Sequence, residues 1–189
     1  MANHPFGIID GLILCHFVAQ QRSDYSILIN SVLCGDPRLD PYFLPINFGT
    51  SMAARRVTAT SVRSAKQSLL NGGAVMIFPA GGIATTDGIF GPAMDLPWSN
   101  LLGKLIDQTR PDIVPVHFTG QNSRLFQLAS QVSMTLRLSL VIRELRRMIG
   151  QSVTCRIGNR VNANQVIKNG GQSIDTITAQ CRKMTESLA

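Results

Sequence analysis

Aromatic side chains are scarce in this sequence, 6% of 189 residues with a single tryptophan. That argues against the stacking platforms on which proteins grip single-stranded nucleic acid. Charged residues are also few, at 15% against 44% hydrophobic, a balance that excludes intrinsic disorder. No apolar run approaches the roughly 20 residues of a membrane-spanning helix. The longest, residues 7–19, is interrupted by Asp10 and His16. The N-terminus lacks the basic and apolar regions of an export signal. The four cysteines form no CxxC pair and read as reduced thiols packed as small hydrophobes in a cytoplasmic chain. Three scattered histidines argue against a zinc site, so neither metal nor cofactor is expected.

The length fits one domain over residues 1–189, and the pattern alternates helix and strand. Helices are expected at 11–20, 51–71, 100–109, 125–130, 136–148 and 173–188, and strands at 25–34, 74–78, 113–118 and 153–157. Residues 36–45, with three prolines, read as a loop. This order predicts an α/β domain with a mostly parallel sheet flanked by helices, whose ligands sit beyond the carboxyl ends of the strands.

Positive charge is concentrated. Residues 1–120 hold eight Lys/Arg and eight Asp/Glu, whereas 121–160 hold seven arginines against Glu144 alone, which places +6 of the net +7 there. Leu136, Leu140, Ile142, Leu145, Met148 and Ile149 interleave with Arg137, Arg143, Arg146 and Arg147. Such a basic amphipathic helix suits an anionic membrane surface, and it equally suits packing of its apolar side on the core. Nucleic acid fits the charge, but no recognisable binding module accompanies it, so no nucleic-acid partner is expected.

Three groups carry chemistry. In Asn3-His4-Pro5-Phe6-Gly7-Ile8-Ile9-Asp10 the chain can turn back, letting the Asp10 carboxylate fix one imidazole nitrogen of His4 while the other takes a proton from a substrate hydroxyl. Phe78-Pro79-Ala80-Gly81-Gly82 follows a strand, and its glycines allow backbone N–H groups to face an anion, or simply form a tight turn. Arg55-Arg56 opens a helix where guanidinium groups could meet a phosphate.

Taken in order, Asn3-His4-Pro5 with Asp10, the arginine pair, Phe78-Pro79-x-Gly81 and Ile113-Val114-Pro115-Val116 resemble the glycerolipid (lysophospholipid) acyltransferase family. The closer likeness is to its bacterial haemolysin-related and ornithine-lipid-type branch, because Gln121-Asn122-Ser123-Arg124 and the arginine-rich helix fit as well. The resemblance implies a glycerol-3-phosphate-acyltransferase-like fold. It also implies fatty acyl transfer, in phospholipid or related lipid biosynthesis, from acyl-CoA or acyl-carrier protein to the hydroxyl of a lysolipid such as 1-acylglycerol-3-phosphate. His4 would be the general base and Asp10 its orienting partner. Arg55, Arg56, Phe78, Pro79, Ala80, Gly81, Asn122 and Arg124 would bind substrate, and the enzyme would lie peripherally on the inner face of the plasma membrane. This sequence places five residues between His4 and Asp10 where the family usually has four, and Ala80 where most members carry glutamate. It also begins after the helix and strand that the family sets before its histidine block, so an N-terminally short chain is expected. A non-catalytic lipid-binding remnant is the alternative expectation.

Overall fold

The computed structural model describes residues 1–86, 88, 91–170 and 173–189. At its centre is a parallel sheet in the order β2-β1-β3, formed by Phe43–Ile46, Tyr25–Asn30 and Ala74–Met76. Successive strand residues point to opposite faces, and β1 shows what each face buries. Ile27 packs with Leu14, Met76, Val116 and Phe118 on one side. Leu28 packs with Ala65, Ile77, Leu105, Ile106 and Ile177 on the other. The apolar run that reads as a strand in the sequence is therefore buried on both faces, as parallel strands usually are.

Helix α1 (Ile8–Ala19) supplies the first side through Leu14. On the second side stand α2 (Met52–Leu70), α3 (Leu101–Thr109), α6 (Ala163–Gly170) and α7 (Ile174–Glu186). Among the described residues, two antiparallel pairs complete the strands: β5 (Val116–Thr119) with β6 (Thr154–Ile157), and β4 (Asp112–Ile113) with β7 (Val161–Asn162). Residues 1–2 join the parallel sheet to β5. Ala2 N–H donates to Ile77 O at 3.1 Å, and Val116 N–H donates to Met1 O at 2.9 Å. This short link holds the chain entering the His4 segment between two strands.

The expected α/β architecture is present, with local differences. The run 25–34 leaves the sheet at Asn30, whose side chain caps a 3-10 turn over Ser31–Leu33. The proline-rich stretch contains strand β2, with Pro45 at an edge where no donor is needed. The run 113–118 is split into β4 and β5 around Val114-Pro115. Strand β7 and helix α6 were not expected. The two basic-segment helices, α4 (Arg124–Val132) and α5 (Met134–Met148), pack on each other as a hairpin.

Glu144 locks that hairpin. Its buried carboxylate accepts from Ser123 N–H at 2.9 Å and Ser123 Oγ at 2.5 Å, and it meets Arg147 Nε at 3.0 Å and Arg143 Nη1 at 3.3 Å. A negative group thus sits at the N-terminus of α4, where free N–H groups and the helix dipole favour it. Burial pushes the carboxyl up, but the Ser123 donors and Arg147 outweigh it and hold the group below its ordinary value.

Candidate active site

Asp10 lies in the first turn of α1. One of its oxygens, Oδ2, accepts from the backbone N–H groups of Phe6 at 2.8 Å and Gly7 at 2.9 Å. A helix start leaves such donors unpaired, so the carboxylate closes α1 in the manner of half a capping box. Gly7 makes the tight entry possible: its φ is 83°, and a Cβ there would stand 2.6 Å from Ile83 Cδ1. The same Oδ2 lies 3.2 Å from Nδ1 of His4. That is ion-pair range rather than an aligned hydrogen bond, since Nδ1 is among the buried polar atoms without a hydrogen-bond partner. The five-residue spacing therefore closes into a contact, because the chain folds back between Pro5 and Gly7.

Burial pushes the Asp10 carboxyl upward, and His4 together with the Phe6 and Gly7 N–H groups pulls it back toward the ionised form. The His4 side chain keeps 17% of its surface exposed, although its Nδ1 is buried. One ring face stacks on Phe78 at 4.2 Å between centroids. Phe78 thus joins the histidine directly, as a wall rather than a polar contact.

The backbone of this segment is fastened at several points. His4 N–H donates to Asp95 Oδ1 at 3.0 Å, and His4 O accepts from Ala84 N–H at 2.8 Å. The Asn3 side chain pairs with Phe118 as a strand would, accepting from its N–H at 2.7 Å and donating to its carbonyl at 2.9 Å. Asp95 is itself fixed, since its Oδ2 accepts from Trp98 Nε1 at 2.9 Å. Sequence reasoning missed Asp95 altogether, and it quoted Asn3 only as part of the motif. No local signal marks Asp95, which is 91 residues from His4. Asn3, Pro5, Asp95 and Trp98 also line a cavity of about 410 Å³ with His117 and Arg182. Burial and nearby Arg156 lower the basicity of His117 there, against Asp95 and Glu186, which raise it.

The other expected site residues divide. Pro79 and Ala80 continue from Phe78 into a turn closed by Gly81 N–H on Phe78 O at 3.0 Å, with Gly81 at φ 66°. Pro79 O accepts from Ser99 N–H, so both of these carbonyls and the Gly81 N–H are engaged within the protein. Arg137 of α5 reaches the same turn, donating to Ile83 O at 2.6 Å, and burial lowers its basicity. Arg55 lies away from the histidine, in a groove along α2, and exposed Arg56 does not line that groove. Asn122 is buried, and both of its amide atoms lack partners among the described residues. Its loop meets the His4 segment at Gly120, where a Cβ would come within 2.6 Å of the Phe6 ring. Arg124 is exposed in the first turn of α4.

A histidine oriented by a buried carboxylate and partly open to solvent can remove a proton from a hydroxyl. Over residues 1–167 the sequence matches the model of a family described as acyltransferase. It is also 27% identical over 143 residues to a lyso-glycine lipid O-acyltransferase of Phocaeicola vulgatus, and 28% identical over 145 residues to one of Bacteroides thetaiotaomicron. Each alignment covers 75% of this chain and, respectively, 49% and 50% of the relative. The chain thus spans about half the length of the curated relatives it matches.

Proposed function

This chain belongs to the acyltransferase family, and on that premise we propose that it transfers a fatty acyl group from an acyl thioester to the hydroxyl of a lysolipid. The observation that carries this reading is Nδ1 of His4, 3.2 Å from the buried Asp10 carboxylate. With Nδ1 directed to Asp10, Nε2 is the nitrogen left to act as base. It takes the acceptor's hydroxyl proton as that oxygen attacks the thioester carbonyl. Collapse of the tetrahedral intermediate breaks the C–S bond, and the imidazolium returns the proton to the leaving sulfur, giving an ester and a free thiol. Asp10 stabilises the imidazolium through the cycle.

The names of the relatives support a lysolipid acceptor, and the surface supports a lipid setting. Leu125, Leu128 and Val132 of α4, Leu136, Leu138 and Ile142 of α5, and Leu12 and Phe17 of α1 are all exposed. Helix α1 packs against α5, and the exposed Arg143 and Arg147 flank these apolar side chains. Apolar side chains interspersed with arginine suit a peripheral seat on an anionic leaflet, which we assign to the inner face of the plasma membrane. The donor is acyl-CoA or acyl-carrier protein.

The test is transfer of a labelled acyl chain from a thioester to a lysolipid in anionic vesicles. The expected result is a diacyl product with the wild-type chain and a loss of about 10²–10⁴-fold in His4→Ala. Turnover that survives this substitution removes His4 from the mechanism. Vesicle binding without any turnover in the wild type favours the non-catalytic alternative.

A further inference from the structure

Helix α2 carries Arg55, Arg56, Arg63 and Lys66 and no acidic residue. None of the four forms a salt bridge or side-chain hydrogen bond with the described residues. At about 100° per residue, Arg55, Arg63 and Lys66 fall within about 80° of one another around the helix, and at 1.5 Å per residue they span about 16 Å along it. They line an open groove of about 570 Å³ with Asn47, Ala59 and Val62, and no carboxylate is among its lining residues that the structure describes. Three unneutralised cations on one helix face repel one another, an arrangement relieved by a multiply charged anion. Two of them are guanidinium forks suited to phosphate.

The groove also has a defined position relative to the histidine. Asn47, at its β2 end, is followed by Phe48, whose ring would stand 3.4 Å from a Cβ on Gly81. Gly81 closes the turn that begins at Phe78, on which His4 stacks. From the histidine the surface therefore passes over this turn and outward along α2 toward Lys66.

We propose that the α2 groove binds the phosphate groups of a nucleotide-bearing thioester, with Arg63 and Lys66 joining Arg55 as its ligands. This assignment rests on the acyl-transfer reading for the identity of the thioester. The donor's reactive end lies at His4 and its anionic end along α2. The apolar Ala59 and Val62 between the cations accommodate the uncharged parts of the nucleotide.

The test is calorimetric titration of the full chain with adenosine 3′,5′-bisphosphate, alongside the double variant R63Q/K66Q and the control Lys104→Gln on α3. Binding is expected to weaken at least about tenfold in R63Q/K66Q, to be unchanged in Lys104→Gln, and to fall with added salt. An unchanged melting temperature shows that R63Q/K66Q is folded. Equal binding by wild type and R63Q/K66Q overturns the site, as does no binding at millimolar ligand. If R63Q/K66Q loses affinity for anionic vesicles but not for the bisphosphate, the groove is a lipid-headgroup patch and the assignment fails. A wild type that binds the bisphosphate but transfers no acyl group leaves the site standing and removes the acyl-transfer reading. Equal KM for an acyl-CoA and the matching acyl-pantetheine, in a turning-over enzyme, removes the site and leaves that reading.

Discussion

Helices α2 and α5 are both rich in cations, and the structure uses them in opposite ways. On α5, Arg143 and Arg147 pair with Glu144, and Arg137 is buried against the Ile83 carbonyl. Nearby, Arg156 donates to Leu188 O and Arg160 meets Asp112 at 3.4 Å. Most of the arginines in residues 121–160 therefore have a partner within the protein. On α2, within a region whose charges sum to zero, four cations have no partner among the described residues. Local charge density in a sequence and charge available to a ligand are different quantities, because pairing is decided by residues far away in the chain.

Substitutions on the two helices should separate these uses. The largest stability effect is expected from Glu144→Ala. It leaves the Ser123 N–H and hydroxyl without their buried acceptor, which should cost about 1–3 kcal/mol by chemical denaturation. The half-exposed Arg143 and Arg147 add little to that. A full-sized loss would show that α5's charges are structural. No change in the denaturation midpoint would contradict that.

The same carboxylate predicts a pH dependence. Its pKa is held below the ordinary 4.5 in the folded protein, so its contribution is present above that value and disappears as pH falls through the lowered one. Melting temperature should thus lose a Glu144-dependent component only below about pH 4.5. In Glu144→Gln that component should be absent.

Asp95→Ala probes the third use of charge, positioning. It unpairs the His4 and Trp98 N–H groups, and about 1 Å of lost placement corresponds to about 100-fold in rate. The expected signature is a fall in kcat at unchanged KM. The smallest effect belongs to α2: R63Q/K66Q should move stability by less than about 0.5 kcal/mol, in contrast to Glu144→Ala on α5.

Much of the architecture was legible because α2 and α7 start at serine caps, α3 carries a strong apolar periodicity, and β1 is a buried apolar run. Strand β2 was not, since its Pro45 and the prolines before it read as loop. Its pairing with β1 depends on tertiary register. Strand β7 and α6 follow a polar stretch with little alternation. In the site, His4 and Asp10 come together as their spacing predicts, whereas Phe78 reaches His4 only through the tertiary fold. Asp95 and the pairing of Asn3 with Phe118 were invisible because their partners are 91 and 115 residues away. Arg63 and Lys66 become conspicuous only once α2 is seen to offer no counter-charge.

The central claim is that Asp10 holds the His4 proton on Nδ1 and leaves Nε2 as the base. The most direct measurement is ¹⁵N NMR of the protein with labelled histidines, compared with Asp10→Asn, at a pH where His4 is neutral. The account predicts an Nδ1–H tautomer for His4 in the wild type and a loss of that preference in Asp10→Asn. A His4 proton residing on Nε2 in the wild type would contradict it.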